Sequence, residues 1–338
     1  MIQKKIAYIS DDGVYFDISK FKSYGKLSKI KVSANNLGVG HLSKIFADEY
    51  DKTNIRDFAL WKFKKHGEPS WKTPFGEGRP GWHIECSAMS IKYLGKSFDI
   101  HAGGIDLIFP HHENEIAQSE AVTEKKFVKY WLHGEHLLVN GEKMSKSLKN
   151  IFTLQDIEKN GFNPLDYRYF TLSAHYRSKL NFTWEALKAS KNALEKLYVF
   201  VKILKNKSKL VTKNKLLPRN LNIMRSKFYS AVLDDLNMPK ALAVLWNIIH
   251  SYNNAENYSA NDILNILYDF DQILGFGLKN IKQSPIPTQI IKLAQERKNY
   301  RKEKKWSEAD KIREELKKKG YKIEDKKNGY ILSPLSPL

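Results

Sequence analysis

The apolar pattern of the chain changes character after Phe152, and this change constrains the fold more than any other feature. Before it, short apolar segments such as Phe98-Asp99-Ile100 alternate with helical stretches and with turns rich in glycine and proline, an order typical of α/β architecture. After it, apolar residues recur at helical spacing. The first long helix is predicted to follow Thr183, which serves as its N-cap. We therefore predict an α/β region followed by an all-α region.

The second region contains helical stretches at about 219–234, 239–254, 261–274 and 286–300, separated by short polar links. Consecutive amphipathic helices must bury their apolar faces against one another, so they predict a helix bundle that forms its own domain. The tail that follows is strongly basic and carries Trp306 and Tyr321.

Charge and cysteine content narrow the class of protein. The formal net charge of +20 at pH 7 indicates a polyanionic partner, first nucleic acid and second an anionic membrane surface, although a Lys-rich proteome also explains it. No apolar run is long enough for a membrane span, and the start is too short for a secretory signal. The single cysteine, Cys86, suits a reducing cytoplasm, where we expect the protein.

Two lysines and two serines occur within the five residues 143–147 (KMSKS), directly after the hairpin signal Asn140-Gly141. Such flexible donors can neutralise a departing pyrophosphate, although a plain basic loop is the alternative. The longer string 141–150 resembles the second signature of class I aminoacyl-tRNA synthetases. This resemblance implies ATP-dependent tRNA charging, with Lys143 and Lys146 catalytic and Lys146 in contact with ATP.

A second group of residues has the chemistry of metal ligands. His111 and Glu115 are four residues apart on a predicted helix introduced by Pro110, so their side chains share a face. Cys86 could add a thiolate from a neighbouring segment, and these three residue types are competent zinc ligands. On these residues alone, we favour a buried cysteine beside a polar helix face over a metal site.

Three segments favour the metal site over the buried cysteine beside a polar helix face. Residues 81–87 (GWHIECS), 99–107 (DIHAGGIDL) and 109–115 (FPHHENE) resemble the cysteinyl-tRNA synthetase family in order and spacing, and the likeness continues into the helical region. The resemblance implies one zinc ion that binds the thiolate of the substrate cysteine. The implied zinc ligands are Cys86, His111 and Glu115. The implied contacts to the substrate cysteine are Trp82, His101 and Asp106.

Zinc would provide a physical basis for selecting cysteine over serine. A simple pocket separates near-isosteric substrates by only a few kcal/mol, whereas zinc prefers a soft thiolate to a neutral hydroxyl. The expected reaction is attack of the cysteine carboxylate on the α-phosphate of ATP, supplied with Mg²⁺, followed by transfer of cysteine to tRNA(Cys). The expected partners are therefore ATP, L-cysteine and tRNA(Cys), and we expect a monomer without membrane attachment.

The resemblance also implies a domain order. Residues 1–55 resemble an inserted connecting peptide, and residues 56–182 resemble the second half of a Rossmann-like nucleotide-binding core that includes the KMSKS loop. Residues 183–285 are expected to form a helical bundle of the anticodon-binding type, and residues 286–338 a basic C-terminal small domain. Basic clusters at about 202–215 and 297–319 could bind RNA phosphates or could be solvated helix faces.

Two features of the family are absent from these 338 residues: the H-I-G-H-type ATP signature and the fourth zinc ligand, a cysteine just ahead of it. We therefore expect the sequence to start roughly one hundred residues into the family's protein. A truncated gene model, a split enzyme with a separate amino-terminal fragment, and a decayed copy all fit. We also expect an exposed apolar sheet edge, and no cysteinyl-adenylate formation by this polypeptide alone.

Two other functions remain open. A cysteine:amino-sugar ligase of thiol biosynthesis resembles the same core but lacks a comparable anticodon-binding region, so the helical domain from Thr183 argues against it. A non-catalytic RNA-binding protein derived from a synthetase fits the absent first signature. That hypothesis does not explain why Cys86, His111 and Glu115 are retained.

Overall fold

The computed structural model describes residues 1–30, 57–208, 219–254, 258–282, 287–326 and 329–334. Its internal contacts divide the chain into two compact units, Met1–His136 and Leu137–Leu338. Residues 31–55 of the predicted connecting peptide and residues 209–215 of the predicted basic cluster lie outside the described residues.

The first unit contains a four-stranded antiparallel sheet whose strands pair in sequence order. The strands are β1 (Ala7–Ser10), β2 (Gly13–Phe16), β3 (Phe58–Phe63) and β4 (Gly78–Pro80). A turn at Asp11-Asp12 joins the first two strands. Strand β2 is buried along its whole length, and the Phe16 ring stacks on that of Phe58 with centroids 4.9 Å apart.

A smaller parallel sheet follows in the same unit. Helix α1 (Trp82–Leu94) precedes β5 (Phe98–Gly104), which pairs in parallel with β6 (Val128–Gly134). Helix α2 (Glu113–Thr123) lies on the crossover that parallel pairing requires. Mixed α/β structure is therefore confirmed for this region.

The predicted helix at His111 begins differently from the expectation. A wide turn at Ile108–His112 precedes the regular helix, which starts at Glu113. Pro110 disfavours helical backbone at the residue before it, and Phe109 is accordingly extended, with φ −140° and ψ 132°. His111 therefore lies on the turn that introduces α2.

Two strand predictions were wrong in detail. The apolar residues between Lys129 and Val139 predict a single strand, but the segment is divided into β6 and β7 (Leu137–Val139), because the extended backbone is interrupted at residues 135–136. The apolar segment Phe98-Asp99-Ile100 predicts a short buried strand, yet Ile100 is 60% exposed and its partner Tyr130 is 67% exposed. Side chains alternate across a strand, and on the opposite face of β5 His101 lies 3.5 Å from Glu115 of α2.

The second unit opens with a three-stranded sheet in the order β8-β7-β9, where β8 is Glu142–Lys143 and β9 is Leu180–Phe182. Asn140 and Gly141 form the β7–β8 turn with φ of 52° and 83°, the left-handed pair that a two-residue hairpin needs. Helices α3 (Leu154–Lys159) and α4 (Pro164–Leu172) connect β8 to β9.

The predicted helix bundle is confirmed in the second unit. Thr183 caps its first helix by accepting a hydrogen bond from the Ala186 amide at 3.0 Å. Phe228 and Phe270, both fully buried, stack at a centroid distance of 3.7 Å in its core. The helices are α5 (Trp184–Ser208), α6 (Arg219–Leu233), α7 (Met238–Asn254) and α8 (Ala260–Leu274).

The end of the described chain forms two helices and a hairpin. These are α9 (Thr288–Lys302), α10 (Trp306–Lys318), β10 (Tyr321–Lys326) and β11 (Gly329–Pro334). Arg297 is only 1% exposed and donates from Nη1 and Nη2 to the two Asp325 oxygens at 2.7 and 3.0 Å. None of the described helices combines the length and apolarity that a bilayer crossing requires.

Candidate active site

Helices α1 and α2 of the first unit supply the candidate metal ligands. Cys86 is partly buried on α1, whereas His111 on the turn before α2 and Glu115 in its first turn are 4% and 0% exposed. His111 Nε2 lies 3.9 Å from Glu115 Oε1. The ligand atoms of all three residues lie within 4.8 Å of one another, so the structure brings the predicted set together.

The Glu115 carboxylate is the central group of this cluster. Neither of its oxygens has a hydrogen-bond partner among the described residues, although both are buried. A second group, His101 and His112 with Glu115, meets the same 4.8 Å limit, and His101 Nε2 lies 3.5 Å from Glu115 Oε2. A buried carboxylate without donors is costly, and a cation is the natural compensation. The donor chemistry of the first group fits zinc.

Burial changes the protonation of two candidate ligands. It raises the pKa of Glu115 to about 8. It also raises the pKa of the Cys86 thiol, and the carboxylates of Glu115 and Glu85 add to that shift. A divalent cation close to both groups would reverse these shifts, because it favours the charged carboxylate and thiolate.

The histidines around the Glu115 carboxylate are in their neutral form, which is the form that binds metals. His83 Nδ1 and His111 Nδ1 are 2.9 Å apart, so one of them carries the shared proton and His111 Nε2 remains directed at Glu115. Burial lowers the pKa of His111, and that of His112 to about 3. His112 Nδ1 lies 2.8 Å from His133 Nε2, which orients its ring.

The predicted cysteine-contacting residues lie in the same unit. Trp82 is 58% exposed, and its ring centroid is 4.3 Å from that of His111. His101 stacks on Trp131 at 4.8 Å. Asp106 is exposed on the short turn after β5. The first two residues therefore border the ligand cluster, and Asp106 follows the strand that carries His101.

Glycine is required beside this cluster. A Cβ at Gly103 would lie 2.6 Å from His112 Cε1 and 3.0 Å from Leu107 Cδ1. Only a residue without a side chain lets the imidazole approach the strand so closely.

The KMSKS loop belongs to the second unit and is held from both ends. The Asn150 side chain accepts from the Ser145 amide at 2.8 Å and donates to the Lys143 carbonyl at 3.0 Å. Met144 packs against the local apolar core. Lys143 and Lys146 are exposed, so their ammonium groups are presented to solvent from an anchored loop.

Several residues at the site were not predicted from the sequence. His83 lies three residues before Cys86, and this helical spacing could have indicated it. His133 and Trp131 could not be found that way, because their position depends on the pairing of β6 with β5. Gln118 gave no signal, because a glutamine within a polar helix resembles an ordinary surface residue.

Two parts of the chain match known protein families. The family described as tRNA synthetases class I (C) catalytic domain matches residues 1–192, and the DALR domain family matches residues 227–279. The first match includes all predicted metal ligands and the KMSKS loop. The second lies within the helix bundle and the short segment after it.

Curated relatives are similar over nearly the whole chain. The cysteine–tRNA ligase of Chlamydia felis (strain Fe/C-56) is 44% identical over 340 residues, which cover 97% of this chain and 70% of that protein. The cysteine–tRNA ligase of Chlamydia trachomatis serovar A is 43% identical over 358 residues, covering 99% and 73%. That of Protochlamydia amoebophila is 39% identical over 339 residues, covering 97% and 70%.

These matches agree with the sequence resemblance and with the order of an α/β region before a helical one. They confirm the interpretation as an ATP-using tRNA-charging enzyme of class I. The chain belongs to the cysteine–tRNA ligase family of class I aminoacyl-tRNA synthetases.

Proposed function

We propose that this cysteine–tRNA ligase selects its amino acid through a zinc ion held by Cys86, His111 and Glu115. One observation carries the proposal: a fully buried carboxylate, without hydrogen-bond donors among the residues that the structure describes, lies within 4.8 Å of a thiol and an imidazole nitrogen. When bound there, zinc would supply a soft Lewis acid that attracts the substrate thiolate and discriminates against a serine hydroxyl.

The neighbouring side chains have proposed roles in binding the rest of the amino acid. The exposed Trp82 ring forms a wall beside His111, and His101 keeps a neutral imidazole beside Glu115 because burial lowers its pKa. Asp106 offers an exposed carboxylate to the substrate ammonium group. Together these groups orient the cysteine carboxylate for attack on the α-phosphate of ATP.

The KMSKS loop has a proposed role in ATP activation. Lys143 and Lys146 neutralise the polyphosphate that accumulates charge as pyrophosphate leaves, together with the Mg²⁺ that accompanies ATP. The anchoring of the loop by Asn150 supports this role, because it leaves both ammonium groups exposed. Lys146 is the residue that we expect to contact ATP.

The remaining parts of the chain have a proposed role in RNA binding. Residues 183–285 and 286–338 bind tRNA(Cys), while residues 56–182 bind ATP and L-cysteine. The net charge of +20 supports an RNA partner, since lysines and arginines displace the counterions of phosphates. We propose that the chain acts in the cytoplasm and as a monomer.

Metal content and cobalt spectroscopy test the zinc proposal. After treatment with a chelator and reloading, we expect one zinc ion per chain, and the cobalt form should show thiolate-to-metal charge transfer. Cys86→Ser should abolish that absorption, and Glu115→Gln should weaken zinc binding at least about tenfold, because each removes a ligand. His66→Gln, at an exposed imidazole of the same unit, is the matched control. Absent zinc binding, or equal affinity in Glu115→Gln, would contradict the proposal.

A further inference from the structure

Three buried polar side chains join α1 to α2 beside the candidate metal ligands. Gln118 Nε2 donates to the His83 carbonyl and to Ser87 Oγ, both at 2.6 Å. Ser119 Oγ lies 2.9 Å from Ser87 Oγ. Ser87, Gln118 and Ser119 are 3%, 0% and 1% exposed, and we call them the helix clasp.

The helix clasp connects the segments that carry the ligands. Ser87 directly follows Cys86 on α1, and the His83 carbonyl lies one helical turn before it. On α2, Gln118 lies three residues after Glu115, so it is also one turn away. A movement of one helix against the other would therefore change the distance between the Cys86 thiol and the Glu115 carboxylate.

Stability alone does not account for polar side chains at this contact. Gln118 Oε1 is buried and has no partner among the described residues, which is a cost that an apolar side chain would avoid. Apolar contacts between helices are non-directional, whereas hydrogen bonds at 2.6 Å specify the relative position of the two backbones. Metal sites require this precision, because ligand distances must hold to within about 0.2 Å.

We propose that Gln118 is a positioning residue that sets the separation of Cys86 from His111 and Glu115 and so tunes the affinity and geometry of the metal site. This inference rests on the proposed zinc site. Gln118 itself donates to α1 and provides no ligand atom. Its effect on cysteine selection is indirect and passes through the metal.

The test compares three single-substitution variants and one double variant of the full chain. Gln118→Met keeps the length of the side chain and removes both N–H donors. We expect it to weaken zinc binding about 10- to 100-fold in chelator competition, the range for residues that orient metal ligands. The cobalt form should also change its d–d absorption, which reports ligand geometry. Thr123→Val is the matched control. It removes a partly buried hydrogen bond to the Ser119 carbonyl at 2.8 Å on the same helix and leaves the contacts to α1 unchanged.

A double-mutant cycle separates positioning from general destabilisation. Ser87→Ala should weaken zinc binding in the same direction, and adding it to Gln118→Met should have little further effect, because both act through one contact. The thermal midpoint of the metal-free Gln118→Met chain should change no more than that of Thr123→Val.

Each contrary outcome has a distinct meaning. Wild-type zinc affinity and cobalt spectrum in Gln118→Met would overturn the inference and leave the zinc proposal intact. A wild-type chain that binds no zinc would overturn both. If Gln118→Met does not fold, Ser87→Ala decides alone, and unchanged zinc affinity in that variant would overturn the inference.

Discussion

Glu115 is the central residue of the candidate metal site. The spacing of His111 and Glu115 predicts a shared helix face, but His111 lies on the turn before α2. The two side chains still meet, with His111 Nε2 3.9 Å from Glu115 Oε1. The complete burial of Glu115 and its lack of hydrogen-bond donors in the described part of the chain could not be predicted. Both depend on how α1, α2 and β5 pack. The chemistry of Cys86 made it a candidate ligand, but only the family resemblance favoured that role, since nothing in its local sequence brings it to α2.

The protonation of Glu115 predicts how stability depends on pH without metal. Its folded pKa, about 8, lies above the ordinary 4.5, so its stabilising contribution is present below 4.5 and is lost as pH rises through 8. His112 acts oppositely, since its pKa falls from 6.5 to about 3 and its contribution is lost as pH falls through that range. Of these two effects, only that of Glu115 changes the stability between pH 6.5 and 8.

Denaturant unfolding of the chelator-treated chain between pH 6.5 and 8 checks this sign. The free energy of unfolding should fall with rising pH, by at most about 1.4 kcal/mol per pH unit for one proton. Glu115→Gln should remove this slope, because the amide does not titrate. Parallel pH profiles for the two proteins would contradict the account.

At the scale of elements, the helices could be predicted better than the strands. The bundle followed from helical periodicity, which depends only on residues near in sequence. The break between β6 and β7 could not be recognised, because both strands are short and apolar and their division depends on different pairing partners. The exposure of Ile100 was missed for the same reason, since a short apolar run does not reveal which face is covered.

The bundle core should depend strongly on one aromatic pair. Phe228 on α6 stacks on Phe270 of α8, and both are fully buried. Phe228→Ala should lower the free energy of unfolding by roughly 3–5 kcal/mol, since it removes a large buried side chain and leaves a cavity. Ile223→Ala, at a site on the same helix that is 45% exposed, should lower the free energy of unfolding much less. Thermal unfolding of the two variants measures this difference. Equal losses in the two variants would contradict this core assignment.

The C-terminal hairpin should depend on the Arg297–Asp325 pair. Asp325→Asn leaves a guanidinium that is 1% exposed without its charged partner, so we expect a loss of roughly 1–3 kcal/mol in chemical unfolding. Replacing Arg297 with Met in the same chain should recover part of this loss, because the buried charge is then removed. Glu303→Gln is the control, since the Lys305–Glu303 pair is exposed by 55% on each side. No loss in Asp325→Asn would show that the pair is dispensable.

At the scale of the whole molecule, charge and family agree on an RNA substrate. The chain spans about 70% of the length of the curated relatives it matches and includes the catalytic-domain and DALR-domain matches. Its net charge of +20 is consistent with phosphate contacts. Neither net charge nor fold identifies the amino acid. The family membership identifies it as cysteine, and the proposed zinc site would explain how it is selected.

Binding of tRNA(Cys) should depend steeply on salt. We expect the affinity to fall at least tenfold between about 50 and 200 mM salt, because each phosphate contact releases counterions. Lys317→Ala and Lys318→Ala in the last turn of helix α10, where two lysines are adjacent, should reduce the slope of the log–log plot. Lys129→Ala should not, since Lys129 pairs with Asp99 at 2.7 Å in the first unit. Filter-binding titrations over this range test the prediction, and a flat salt profile would contradict it.

The most direct test of the central claim is calorimetric titration of the zinc-loaded chain with L-cysteine and with L-serine. We predict that cysteine binds at least about 100-fold more tightly than serine, with release of a proton from its thiol. Chelation of zinc and the Glu115→Gln substitution should each abolish that preference. Equal binding of the two amino acids, or a cysteine preference that survives zinc removal, would contradict the claim that a metal bound by Cys86, His111 and Glu115 selects the substrate.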